Sequence, residues 1–144
     1  MQSENFDCKD LEEIMRTLFL SLILTMVFGS VLTVNAQTNQ QITVTVNKQK
    51  KASRSKLTIK FVSVEDSRCP QGVDCVWAGN AKVTIKVTNR KGVSKTFELN
   101  TNLEPKAVKF DGYEIKLGNV TPYPRSDIRI DKNGYAATFS VIKL

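Results

Sequence analysis

The sequence predicts an all-β fold: a single antiparallel β-sandwich of the immunoglobulin-like kind, or a small barrel, of about seven or eight strands, preceded by a signal-peptide helix. Three observations predict it. Apolar and polar residues alternate along most of the chain after residue 36, which is the period of half-buried strands. Turn-forming residues punctuate that pattern at short spacing, Asp111-Gly112 most clearly. No stretch after residue 36 carries the 3.6-residue apolar period of an amphipathic helix.

The first element is the apolar run Thr17–Val34, which contains no charge. Val34-Asn35-Ala36 follows, with small or β-branched residues where signal peptidase reads, and then polar Gln37-Thr38-Asn39-Gln40. This pattern reads as a signal peptide cleaved after Ala36. The alternative is an uncleaved membrane helix, because the run sits at the short limit for spanning. Residues 1–15 carry Lys9 against Glu4, Asp7, Asp10, Glu12 and Glu13, the wrong charge for the start of such a peptide. Met15-Arg16-Thr17 supplies a short basic start, so Met15 is read as the biological initiator. The chain thus divides into a signal region, 1–36, and an exported β-domain, 37–144. Export ends in a periplasm or the medium. No cysteine closes the apolar run as an acylation site, so no stable membrane anchor is expected after cleavage.

Within 37–144, Ile42, Val44 and Val46 alternate with Thr43, Thr45 and Asn47. Leu57, Ile59 and Phe61 alternate with Lys56, Thr58 and Lys60; Val83, Ile85 and Val87 alternate with Lys82, Thr84 and Lys86. Each reads as a strand with a Lys/Thr outer face. After Phe61 the phase slips, since Val62 and Val64 flank Ser63, which implies a β-bulge or burial of both faces. An Asn89-Arg90-Lys91-Gly92 turn leads into Val93–Leu99. Asp111-Gly112 makes a type I′ hairpin of Ala107–Phe110 and Tyr113–Leu117. A longer turn at Asp131–Gly134 is expected to join a strand at Ile128–Ile130 to one at Tyr135–Leu144. The strand aromatics Phe61, Phe97, Phe110, Tyr113, Tyr135 and Phe139 are expected in the core, whereas Tyr123, between Pro122 and Pro124, suits an exposed edge.

Composition narrows the function. The chain has 21 Lys+Arg, 14 Asp+Glu and no histidine; residues 37–144 hold 19 basic and nine acidic side chains, a net +10. Without histidine there is no Ser-His or Cys-His pair and no histidine-ligated zinc. Glu65 and Asp66 are adjacent, so on a strand they face opposite ways and make no carboxylate pair. Asp66, Ser67 and Asp74 have no histidine base, and two acids with loop carbonyls in so basic a domain are a weak Ca²⁺ site. No catalytic residue, metal site or cofactor is assigned.

The segment Glu65–Gly79 stands out. Cys69 and Cys75, six positions apart, are expected to form a disulfide in an exported protein. Closing that loop contributes about 2 kcal/mol by chain entropy. If Cys75–Trp77 is extended, Trp77 lies on the cysteine's side and packs beside the disulfide. Two roles compete. In one, Asp66, Arg68 and Trp77 staple the fold, with Arg68 bonded to Asp66 or to neighbouring carbonyls. In the other, the loop is a rigid recognition element.

Asp66-Ser67-Arg68-Cys69-Pro70, then four residues, Cys75, one residue and Trp77-Ala78-Gly79, resembles a motif of small exported bacterial proteins, many of them lipoproteins, whose function is uncharacterised. Thr121-Pro122-Tyr123-Pro124 and the Tyr135-containing final strand are similar to those proteins too. The resemblance implies an exported protein but supplies no activity, and the missing lipidation cysteine keeps an anchored location from carrying over.

Finally, Lys48, Lys50, Lys51, Arg54 and Lys56 place five cations within nine residues, either an anion-binding patch or a solvated hairpin loop. The expected partners are an unknown protein or an anionic envelope polymer; nucleic acid is not expected. The reading is a non-catalytic exported binding module. The alternatives are a structural or accessory envelope protein, or a protease inhibitor presenting the Cys69–Cys75 loop.

Overall fold

The computed structural model describes residues 12–20 and 39–144. Residues 12–20, where the apolar run begins, are helical. The rest of that run, Cys8 and the cleavage position after Ala36 lie outside the described residues. Among the described residues no helix is long and apolar enough to cross a membrane.

Residues 39–144 form eight strands: β1 Asn39–Thr45, β2 Gln49–Ala52, β3 Leu57–Asp66, β4 Ala81–Thr88, β5 Ser94–Asn100, β6 Ala107–Phe110, β7 Tyr113–Thr121 and β8 Ala136–Lys143. They make two four-stranded antiparallel sheets, ordered β1-β8-β7-β6 and β2-β3-β4-β5. The sheets do not join into a closed barrel, so the architecture is a sandwich. The immunoglobulin-like comparison holds for this layering but not for the strand order. Within the sheets the chain meanders, β2 to β5 filling one and β6 to β8 three places of the other; it changes sheet between β1 and β2 and between β5 and β6, and β1 completes the second sheet beside β8.

The period-two pattern produces the core directly. Ile42, Val44, Ile115, Leu117, Ala137, Phe139 and Val141 from one sheet meet Leu57, Ile59, Phe61, Val83, Ile85, Val87 and Leu99 from the other, all buried. Phe61 and Phe139 bridge the layers edge to face, centroids 6.5 Å apart. Phe97 and Phe110 do the same across the β5/β6 seam at 6.0 Å. Tyr135 is buried, Tyr113 half-buried, and Tyr123 is exposed.

Local expectations meet the structure strand by strand. The phase slip after Phe61 is a β-bulge: the register against β4 shifts between Phe61 and Ser63, and Val62 turns outward. Asp111 and Gly112 both have positive φ and join Phe110 to Tyr113 directly opposite, as a type I′ turn requires. The Asn89 side chain accepts the N–H groups of Lys91 and Val93 and so closes its turn. A second bulge, between Leu117 and Asn119 of β7, falls at Gly118, where the buried positions slip from Leu117 to Val120.

Two expectations need correction. Ile128–Ile130 is not a strand; it lies in the irregular β7–β8 connection, which ends in a short 3₁₀ turn, Lys132–Gly134, capped by Asp131. The reason is topological: β8 is paired on both sides, by β1 and β7, and offers no edge to a further strand. The basic run 48–56 is not a loop, because its middle is the edge strand β2. Ala52 and Ser55 are buried, while Lys50, opposite buried Ile59, stands on the core-facing side and is itself exposed. An inward-facing lysine on an edge strand discourages edge-to-edge pairing with another sheet.

Candidate functional site

Because successive strands run in opposite directions, connections alternate between the two ends of the sandwich. One end carries the tight turns 53–56, 89–93 and 111–112. The other carries the long connections 67–80, 101–106 and 122–135, together with the short 46–48. The distinctive segment therefore sits where the loops are long.

Arg68 is the hub of that end. Although charged, it is only 6% exposed. Its Nε donates to Asp66 Oδ1 at 2.8 Å and its Nη2 to Asp66 Oδ2 at 2.6 Å, a bidentate pair. Nη1 donates to the Val120 carbonyl at 2.8 Å and Nη2 also to the Pro122 carbonyl at 2.9 Å. The guanidinium stacks on Tyr123, 4.5 Å from the ring centroid. Both partners offered by the sequence, Asp66 and neighbouring carbonyls, are thus used together. Arg68 clamps the end of β3 in one sheet to the end of β7 in the other.

Asp66 is half-buried as a residue, and its environment pulls its acidity two ways. Burial opposes ionisation, but the hydrogen bonds and charge of Arg68, with help from the Tyr135 hydroxyl, outweigh it and hold the carboxyl below the usual carboxylate range. Burial pushes the Tyr135 hydroxyl up, and the Asp66 charge and hydrogen bond add to this while Arg68 opposes it. An Asp66 carboxylate so engaged is not offered to a cation. Among the described residues no three Cys, His, Asp or Glu side chains gather as metal ligands. Glu65, on the opposite face of the strand, pairs with Lys82 at 3.0 Å.

The 67–80 connection is held along its length. Cys69 and Cys75 form the expected disulfide, their Cα atoms 5.9 Å apart. The Ser67 N–H donates to Asn80 O and the Cys69 N–H to Ala78 O, which extends the β3–β4 ladder past the strand ends. Gly79 is required by this closeness. Its φ is +72°, and a Cβ there would lie 2.0 Å from the Ser67 carbonyl oxygen. On one flank the Gln71 N–H donates to Pro124 O and the Ser126 N–H to Gln71 O, tying the disulfide loop to 122–126. On the other, Asn80 Nδ2 donates to Asn100 Oδ1 at 2.8 Å and the Asn102 N–H to Asn80 Oδ1 at 3.1 Å, tying it to the β5–β6 connection.

Trp77 corrects the sequence reading. It does not shield the disulfide; it is 81% exposed, and Val76 is 94% exposed. The chain bends at Val76 and Trp77 rather than running extended, so the two-residue alternation that would align Trp77 with Cys75 does not apply. Trp77 borders a shallow hollow with Ser67, Asn80 and Leu103, and Leu103 is exposed too. A second, largely apolar hollow of about 300 Å³ lies in the β7–β8 connection, between Tyr123, Ile128 and Ile130. Val76, Leu103 and Gly79 escaped the sequence reading. Only the Gly in Trp77-Ala78-Gly79 carried a signal, as a residue suited to positive φ.

The structure does not gather the basic run. Lys48 precedes β2 and Arg54 and Lys56 follow it, toward opposite ends of the sandwich, with Lys50 and Lys51 on different faces of the strand between. None of the five forms an ion pair among the described residues.

Comparison with known proteins found no matching family model, no matching curated protein and no matching solved structure.

Proposed function

We propose that this protein is a non-catalytic, exported binding module of the bacterial cell envelope or extracellular space, and that it recognises a protein partner through the stapled loop end. The observation that carries this reading is the contrast within residues 66–79. Arg68, Gly79 and the disulfide immobilise the segment, while Val76 and Trp77 at its bend project almost fully into solvent. A large aromatic held on a rigid loop binds with little loss of conformational entropy, and Trp is the residue type most enriched among interface hot spots. The disulfide supports an oxidising location. Asp66 and Arg68 then serve the site by holding it rather than by touching the partner. A protease-inhibitor role draws less support, because the Cys69–Cys75 loop turns at Gly72–Val73 and is tied through Gln71 to the 122–126 segment, rather than offering an extended strand of the kind added to a sheet edge in β-augmentation.

The test is capture of partners from envelope and culture extracts by the purified oxidised protein, washed at low and high salt, with Trp77→Ala in parallel. A discrete partner is expected to survive high salt and to bind the variant about 30-fold or more weakly, the loss typical of a hot-spot aromatic. A partner held equally by Trp77→Ala would overturn the assignment of the loop. Capture that vanishes entirely at high salt would favour a structural or accessory protein with only diffuse charge contacts.

A further inference from the structure

We propose a second binding surface, distinct from the loop end: the outer face of the β2-β3-β4-β5 sheet binds a linear polyanion across Lys51, Lys60 and Lys86. Strand register builds this face from residues far apart in sequence. One row across the sheet reads Gln49, Lys60, Lys86, Thr96, and the row beside it reads Lys51, Thr58, Thr88, Ser94. All eight side chains point away from the core, since their strand neighbours Ile59, Leu57, Ile85 and Val87 are buried.

Lys60 and Lys86 are directly opposed on adjacent strands, where Cβ atoms stand about 5 Å apart, and Lys51 lies on the diagonal from Lys60 at about 7–8 Å. Like charges so placed repel, and among the described residues neither Lys60 nor Lys86 is in an ion pair. Glu65 and Glu98 pair with Lys82, at 3.0 and 4.0 Å, and Glu98 also lies on the diagonal from Lys86, so the half of the face near the long loops is neutralised while the three lysines Lys51, Lys60 and Lys86 outnumber the one carboxylate beside them. A bound anion spanning the two ammonium groups converts their repulsion into attraction. The Thr58 and Thr96 hydroxyls flank the lysines as hydrogen-bond donors, and Thr88 and Ser94 beside them share a hydrogen bond of 2.8 Å that leaves one hydroxyl proton of the pair to offer.

The occupant is a chain rather than a single ion. Groups in a row recur at the strand spacing, about 4.8 Å, so the row extends about 14 Å across the sheet. Closely spaced phosphates or carboxylates on an extended polymer match that repeat, and the +10 net charge of residues 37–144 favours any polyanion at long range. The other sheet lacks such a cluster. On its outer face Lys109 stands opposite Glu114, and Lys116 lies between Ala107 and Ser140.

That difference supplies the experiment. Binding of inorganic polyphosphate and of polygalacturonate is measured by titration for the purified protein, for Lys60→Gln/Lys86→Gln, and for Lys109→Gln/Lys116→Gln, which changes net charge equally on the other sheet. The first pair is expected to weaken binding about tenfold and to flatten its salt dependence by close to two ions, with the second pair near the parent protein. Preference for one polymer identifies the source as phosphate or carboxylate. Equal losses for the two pairs would show that net charge alone acts and overturn the proposal, as would failure of the parent protein to bind either polymer at low salt. The single variant Lys51→Gln repeats the test if the double variant unfolds. Trp77→Ala should bind both polymers normally, which separates this surface from the loop end.

Discussion

Replacing Arg68 by alanine tests the clamp on which the loop end depends. The substitution removes two hydrogen bonds to Asp66, those to the Val120 and Pro122 carbonyls, and the stack on Tyr123. The Asp66 side chain, only 5% exposed, is left as an uncompensated charge. Breaking a buried pair from one side costs about 3–5 kcal/mol. For a domain of this size, 1 kcal/mol corresponds to about 4 °C, so the midpoint should fall by roughly 12–20 °C. Chemical and thermal denaturation followed by far-UV circular dichroism measure both quantities. The pH dependence gives an independent check. Asp66 has a folded pKa below its unfolded value, so its stabilisation is present above the unfolded pKa near 3.8 and is lost as pH falls through the folded value. The parent protein should therefore lose stability in acid, and Arg68→Ala should show a shallower loss there. In a double-mutant cycle, Asp66→Ala/Arg68→Ala should be less destabilised than the sum of the single changes, because no lone charge remains. A cost below about 1 kcal/mol for Arg68→Ala, the range of a surface ion pair, would refute the reasoning.

Gly79→Ala should destabilise the protein by more than about 2 kcal/mol, because the new methyl meets backbone and the left-handed φ disfavours any side chain; a change under 0.5 kcal/mol in urea unfolding, about the size of a neutral surface substitution, would contradict it. Cys69→Ala/Cys75→Ala should cost about 2 kcal/mol yet still fold, since the backbone bonds from Cys69 to Ala78 and from Gln71 to Pro124 do not need the sulfurs; an unfolded variant by near-UV spectroscopy would show that the staple is essential. Trp77→Ala should leave the thermal midpoint within a few degrees, in line with a surface substitution of about 0.5 kcal/mol or less, whereas a large drop would mean that the indole is part of the fold.

What the sequence by itself determined is local. The Asp111-Gly112 hairpin, the Asn89 turn, the bulge after Phe61 and the core alternation of β1, β3 and β4 are each dictated by neighbouring residues, through φ preferences and the two-residue period of a strand. The Cys69–Cys75 pairing belongs here too, because six positions of chain with Pro70 and Gly72 leave the sulfurs close. Tertiary structure decided whatever depends on distant partners. Ile128–Ile130 has strand composition but finds both edges of β8 occupied, while the lysine-rich 49–52 becomes a strand because β3 offers it a free edge. Arg68 reaches Val120 and Pro122, more than fifty residues away, and that clamp exists only once the two sheets are stacked. Trp77 faces solvent because hydrogen bonds to both flanking loops set the path of its own loop, which no period along the chain encodes. Lys60 and Lys86 face each other for the same reason. Strand register, rather than spacing in the sequence, brings charges together on a sheet.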